Sequence, residues 1–265
     1  MNQSPWFSYD RITRESQVRL FAIPFAGSGA SMYHTWSRII PTEIDFVPIQ
    51  LPGREIRIRD PLIHDLSELT SQLVPAIAPL LDKPYALFGY SMGALIAFET
   101  ARVLEKSGYP QPEAVFAASR QAPSLPPQVD PFFDLPEDQF WDRVRKLNGC
   151  PDEVFQMPEI LELIGPVLRN DLRLCDSYTH QDNTLLSCPI RAYGSENDAL
   201  TPLEALDAWE NHTENVFSRK IFPGDHFFIH QQAEALVADI TETLQTLYAE
   251  RTGREISDKR GFARL

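Results

Sequence analysis

Ser91 stands in Gly89-Tyr90-Ser91-Met92-Gly93, after an apolar run at 85–88 and before a helix-like run at 94–104. A serine on a sharp turn between a strand and a helix is lifted clear of the sheet edge. The following helix aims free N–H groups at that point, which favours developing negative charge. A serine hydroxyl is still a poor nucleophile near neutral pH. It needs a base to take its proton and an acid to hold the base's tautomer. In strand–turn–helix sites of this kind those partners follow the serine as acid, then histidine.

The chain supplies both in that order. Gly194-Ser195-Glu196-Asn197-Asp198 follows the apolar run 189–193, and Pro223-Gly224-Asp225-His226 follows the run 216–222. Asp198 is preferred to Glu196 because Ala199-Leu200-Thr201-Pro202 lead from it into a helix. His226 is preferred to His230, which is expected to begin the last helix and to point elsewhere. His34, His64, His180 and His212 do not follow the last strand. The expected catalytic set is Ser91, Asp198 and His226. An oxyanion needs two backbone donors. The N–H of Met92, next after the nucleophile, is one. Ala26, in the loop Pro24-Phe25-Ala26-Gly27-Ser28-Gly29-Ala30, is taken as the other, with Phe25 and Gly27 as neighbouring alternatives. The chemistry is acyl transfer through a serine ester, with no metal and no organic cofactor required.

Positioning these groups calls for alternating strands and helices. Strands are expected at 19–24, 46–51, 85–88, 113–118, 189–193 and 216–222, and helices at 66–81 and 231–248. That alternation predicts an α/β protein with a mostly parallel central sheet and helices on both faces. Between about 123 and 179 the pattern changes. Pro123, Pro126, Pro127 and Pro131 break regular structure, and two amphipathic helices follow near 137–146 and 158–176. This is read as a helical lid inserted into one domain spanning 1–265. Its apolar residues form the insertion's own small core, line an acyl-chain pocket, or do both. Residues 250–265 lose hydrophobic periodicity, and a flexible basic tail is expected there.

Composition narrows the class. The 265-residue chain carries a formal charge of −13, which disfavours nucleic acid and anionic lipid as partners. No stretch reaches the length needed to cross a bilayer, and the first twenty residues do not read as a signal peptide. Cys150, Cys175 and Cys188 fall in no disulfide or metal spacing, so they are read as small hydrophobes in a reducing, cytoplasmic protein. A monomer is expected.

Taken together, these residues resemble the stand-alone type II thioesterases of nonribosomal peptide and polyketide synthesis, in the α/β-hydrolase superfamily. The matching pieces are Pro24-Phe-Ala-Gly27, Leu51-Pro-Gly-Arg54, Phe88-Gly-Tyr-Ser-Met-Gly-Ala94, Ser119-Arg-Gln-Ala-Pro123, Pro166-Val-Leu-Arg-Asn-Asp171, Gly194-Ser-Glu-Asn-Asp198 and Gly224-Asp-His-Phe-Phe228. The resemblance implies Ser91, Asp198 and His226 as a triad and a flexible lid. It also implies substrates held on the phosphopantetheine arm of acyl- or peptidyl-carrier proteins, from which stalled or misprimed acyl groups are cleared. Two departures stand out. Ser28 separates the two glycines after Ala26, and Tyr90 stands where the family often has histidine. Arg54, Arg57 and Arg59 read either as a basic patch for carrier docking or as a solvated loop. A general carboxylesterase or peptidase of the same fold, and a non-catalytic binding module, are the competing functions.

Overall fold

The computed structural model describes residues 4–7, 15–147, 152–181, 184–254 and 256. Six strands form one parallel sheet: β1 (Val18–Ile23), β2 (Ile44–Pro48), β3 (Tyr85–Tyr90), β4 (Val115–Ala118), β5 (Ile190–Ser195) and β6 (Phe217–Phe222), in the order β2-β1-β3-β4-β5-β6. Among the described residues seven α-helices accompany them: α1 (Trp36–Ile39), α2 (Leu66–Ile77), α3 (Met92–Lys106), α4 (Glu137–Lys146), α5 (Pro158–Asp176), α6 (Leu203–Asp207) and α7 (Ala233–Thr252).

Strand side chains alternate between two cores, as the pleat requires. Phe21, Ile23, Val47, Leu87 and Val115 face α2 and α3. Leu20, Ala22, Phe46, Phe88 and Phe116 face Trp36 of α1 and Leu236, Ile240 and Leu244 of α7. With both faces covered, the inner strands have no solvated side, which is why they read as continuous apolar runs. All six expected strands are present, with ends shifted by up to three residues. The expected helix 66–81 ends its α-helical part at Ile77, two residues after Pro75, and continues as a 3-10 turn, Ala78–Leu80. The expected helix 231–248 starts two residues later and runs on to Thr252, where Gly253 at φ 65° closes it. Residues 250–252 are therefore helical; of the expected tail, 255 and 257–265 lie outside the described residues.

The chain leaves β1 for β2 on one side and returns to β3 on the other. That reversal opens a crevice at the carboxyl ends of β1 and β3. Ile23 pairs with Gly89, so the loop after β1 and the turn after β3 emerge side by side. A Cβ on Gly93 would sit 2.2 Å from the Ile23 carbonyl oxygen, and one on Gly89 would sit 2.0 Å from the Gly93 carbonyl oxygen. No side chain fits between these backbones, which gives both glycines of the motif a steric reason.

Between β4 and β5 the chain builds α4 and α5 around a third apolar cluster centred on Phe132, Phe140, Trp141 and Val144. The proline-rich stretch before α4 holds no regular helix or strand. Cys175 and Cys188 are buried, and burial raises their thiol pKa values to about 11 and about 12. Both stay neutral and behave as small hydrophobes. Cys150 lies outside the described residues.

Buried His212 brings Nε2 to 2.8 Å from Ser124 Oγ, and the rings of Phe98, Trp209 and His180 pack against it. Burial, aided by the nearby His180 and Arg102 charges, lowers its pKa from 6.5 to about 4. Between those values the unfolded chain binds the proton more readily than the folded one. The stability attached to His212 is thus full above about pH 6.5, is lost as pH falls toward about 4, and changes no further below that. Urea titrations across this window are expected to show a shallower stability–pH slope for His212→Gln than for the wild type. Gly93→Ala is expected to cost about 1–3 kcal/mol in the same assay at neutral pH, the range of a forced overpacking. An unchanged urea midpoint would contradict the close-approach argument.

Candidate active site

Ser91 sits between β3 and α3 with φ 52° and ψ −112°, a conformation that L residues rarely adopt. Such strain persists only where the surroundings impose it. Here Ser91 N donates to Ala118 O at 2.8 Å, while Ala94 N donates to Ser91 O at 3.0 Å. The hydroxyl is thereby held over the end of the sheet. Ser91 Oγ lies 3.2 Å from His226 Nε2, and His226 Nδ1 lies 2.9 Å from Asp198 Oδ2. Asp198 Oδ1 also accepts the N–H groups of Leu200 (2.9 Å) and Thr201 (3.1 Å), so the carboxylate has little freedom to turn away. Asp198 and His226 are buried; Glu196 is exposed and takes no part. His230 precedes α7 and stacks near Phe25 and Phe227. The three residues expected from sequence meet as one hydrogen-bonded chain.

Two positioning residues were not picked out from sequence. Tyr90 OH donates to the backbone carbonyl of His226 at 2.6 Å, and Ser119 Oγ donates to the same carbonyl at 3.1 Å. The two hydroxyls are 3.1 Å apart. Burial pushes the Tyr90 phenol well up, so it remains a donor. Ser195 Oγ adds a third brace at the Asp225 carbonyl, 2.7 Å away. The departure at position 90 thus places a phenol beneath the histidine loop. Tyr90 directly precedes Ser91 and departs from the family's usual histidine there, and those were the signals the sequence offered.

The Ala26 and Met92 amides both border this point, and neither donates to a protein acceptor among the described residues. The Gly27 amide differs: it donates to Asp171 Oδ2 at 2.8 Å. Of the two alternatives to Ala26, Gly27 is therefore already engaged. An anionic oxygen beside Ser91 would find the N-terminus of α3 on one side and the β1 loop on the other.

Two lobes of the cleft meet at Ser91 and His226. One holds about 740 Å³, counted to its open mouth, and is walled by Phe132, Val144, Leu147, Ile164, Leu168 and Leu172. The other holds about 900 Å³ on the same basis and has Arg120, Gln121, Asp176 and Tyr178 in its wall. Several insertion residues serve both in the third apolar cluster and as cleft wall. The arginine reading needs correction. Arg54 and Arg57 are buried: Arg54 pairs with Asp171, while Arg57 pairs with Asp60 and lies over the Trp6 ring. They form no surface patch, because both guanidiniums are buried against carboxylates and carbonyls, although the loop around them is solvated at 55, 56, 58 and 59. Only Arg59 of the three is exposed.

No helix among the described residues is long and apolar enough to cross a membrane. Among the same residues no group of three or more His, Cys, Asp or Glu side chains could hold a metal ion.

Comparison with known proteins agrees with this geometry. The family model described as "Thioesterase domain" matches residues 18–244. The linear gramicidin dehydrogenase LgrE of Brevibacillus parabrevis is 38% identical over 93% of this chain and 95% of its own length. The gramicidin S biosynthesis protein GrsT of Aneurinibacillus migulanus is 36% identical over 92% of this chain and 95% of its own. Among solved structures, the type II thioesterase BorB from the borrelidin biosynthetic cluster superposes with a TM-score of 0.84 at 30% identity, covering 92% of this chain and 99% of that one. With the match running from β1 into α7, this chain belongs to the thioesterase domain family and carries its α/β-hydrolase fold.

Proposed function

We propose that the chain is a serine thioesterase that hydrolyses acyl groups from the phosphopantetheine arm of acyl- or peptidyl-carrier proteins, clearing stalled or misprimed units from a nonribosomal peptide or polyketide assembly line. The observation that carries this reading is the Ser91–His226–Asp198 contact at 3.2 and 2.9 Å, at the junction of an apolar lobe and one whose wall also carries polar side chains. The relatives' place in gramicidin and borrelidin biosynthesis supports the choice of carrier-bound substrates.

The steps follow from the geometry. His226 Nε2 takes the proton of Ser91 as Oγ attacks the thioester carbonyl. Asp198 holds the Nδ1–H tautomer and stabilises the imidazolium that forms. The Ala26 and Met92 amides receive the oxyanion, and collapse expels the arm's sulfur, which takes the proton from His226. A thiol near pKa 8.5 leaves more readily than an alkoxide or an amine. Water then enters and gives a proton to His226. Its oxygen attacks the serine ester, the free acid departs, and Ser91 recovers its proton. The lobe walled by α4 and α5 is suited to an acyl chain, because burial there removes apolar surface from water. The polar groups of the other lobe suit the amides of the pantetheine arm.

The test is a panel of acylated carrier proteins followed by intact-mass analysis, with matched oxoesters alongside. Release of short acyl groups from carriers, at rates well above those on the oxoesters, is the expected result. Faster oxoester turnover would favour a general esterase, and a failure of Ser91 to label with a fluorophosphonate would favour a binding module. Ser91→Ala is expected to fall to background. Asp198→Asn is expected to lose about 10⁴-fold in kcat with the fold retained, since it presents the wrong histidine tautomer.

A further inference from the structure

Two sequence elements with no catalytic atom of their own meet behind the β1 loop. Leu51-Pro-Gly-Arg54 comes from the loop after β2, and Leu168-Arg-Asn-Asp171 from α5, 117 residues away between Arg54 and Asp171. Arg54 Nη1 and Nη2 reach Asp171 Oδ2 and Oδ1 at 2.5 and 2.8 Å, a fork-on-fork pair buried on both sides. Asp171 Oδ2 also accepts the Gly27 N–H at 2.8 Å, and Arg54 Nη1 donates to Ser28 O at 3.1 Å. Both ends of the pair therefore grip the loop that carries Ala26.

The two peptide planes that flank Ala26 are pinned separately. The Phe25 carbonyl accepts both Ser28 N (3.1 Å) and Ser28 Oγ (2.8 Å). In a trans peptide N–H and C=O point in opposite directions. Turning the Phe25 carbonyl toward Ser28 thus turns the Ala26 N–H away from it. The next plane is set by the Gly27 N–H on Asp171. Gly27 is at φ 81°, open to glycine at little cost, and a Cβ there would lie 3.1 Å from Leu168 Cδ1 of α5. Without the Asp171 carboxylate, little else fixes that second plane.

We propose that Asp171, neutralised by Arg54, is the positioning residue that fixes the Ala26–Gly27 peptide plane, and so holds the neighbouring plane that bears the Ala26 N–H in register for the oxyanion, and that it does so from the lid helix. The neutralisation is part of the role. A bare carboxylate this close to a developing negative charge would oppose it. The guanidinium cancels that charge while leaving the carboxylate as an acceptor for Gly27. Asn170 secures the same turn of α5 by donating to Ile63 O at 2.9 Å.

This inference rests on the serine acyl-transfer reading, and the controls separate the two. The test compares wild type, Asp171→Asn, and the apolar double variant Arg54→Met/Asp171→Leu, each checked for folding by circular dichroism and melting. The double variant removes both charges together, so no buried ion is left alone. Three readouts are taken: kcat and KM on an acyl N-acetylcysteamine thioester, inhibition by the matching trifluoromethyl ketone, and binding of the intact thioester in a Ser91→Ala background. For the folded double variant kcat is expected to fall about 10- to 100-fold, somewhat less than the loss of a whole oxyanion donor. Inhibition by the ketone should weaken in parallel, while KM and thioester binding stay within about threefold. Asp171→Asn keeps an acceptor oxygen for Gly27 and should recover part of the loss. A folded double variant with wild-type kcat and ketone inhibition overturns the proposal. So does a loss confined to KM and thioester binding, which marks a wall of the pocket instead. A wild type that turns over neither thioester nor p-nitrophenyl ester, and does not bind the ketone, sinks the acyl-transfer reading and this inference with it.

Discussion

The site depends on two backbones that approach closer than any side chain allows. The carbonyl of Ile23 occupies the space a Cβ on Gly93 would need, and the carbonyl of Gly93 does the same to Gly89. This contact brings the end of β1, the turn after β3 and the first turn of α3 into one knot. Ser91 takes up the strain of that knot in its positive φ. The sheet order creates the opportunity by placing β1 and β3 side by side at a point of chain reversal. Everything else at the site is arranged around a hydroxyl whose position is set by packing of main chain on main chain.

Around that knot the remaining groups are held mostly through backbone carbonyls and amides. Tyr90, Ser119 and Ser195 fix the loop of His226 by its carbonyls, and Asp198 is fixed by two amides of its own loop. The contacts to the His226 loop leave the histidine's ring nitrogens free, while those at Asp198 hold its Oδ1 directly. Each also satisfies a buried polar group, which would otherwise cost about 1–3 kcal/mol. Ser119 itself lies at φ 46°, a second strained residue at the end of the neighbouring strand. Strain at Ser91 and Ser119 is thus concentrated where β3 and β4 deliver their ends to the cleft.

What sequence could reveal divides along the same line. Ser91, Asp198 and His226 were legible because each follows an apolar run in a Gly-containing loop, and parallel strands deliver such loops to one edge. The inner strands were legible because burial on both faces leaves a largely apolar signature, which β6, Phe217–Phe222 at the sheet edge, lacks. The arginines were not. Arg54 and Arg57 lie in a short, charged stretch that has the composition of a surface loop, and contacts with Asp171 and Trp6, distant in the chain, together with the Gln50 carbonyl, bury them. Arg19 is another case: it lies inside β1, 1% exposed, beside fully buried Asp45, and reads as an ordinary polar strand start until β2 is paired with it. Local pattern reports which face a residue occupies, not which distant charge it will meet. Tyr90 and Ser119 escaped for the same reason, since their common acceptor lies 136 and 107 residues away in the chain.

The insertion combines two kinds of wall in a single helix. Toward its carboxyl end α5 is tied to the body of the protein by Asn170 and Asp171 through buried polar contacts. Toward its amino end it meets α4 through apolar packing, with Gly165 allowing Trp141 to approach to within 3.2 Å of where a Cβ would stand. Pro166 lies between the two regimes and withdraws the N–H that would have bonded one turn back. Apolar packing is non-directional and tolerates exchange of side chains at roughly constant volume. The buried Arg54–Asp171 fork fixes both distance and orientation. Lobe-facing side chains stand on both sides of the proline, Ile164 before it and Leu168 and Leu172 beyond it, so within 168–172 the cleft wall interleaves with the anchors Asn170 and Asp171 that tie the helix to the body and to the β1 loop.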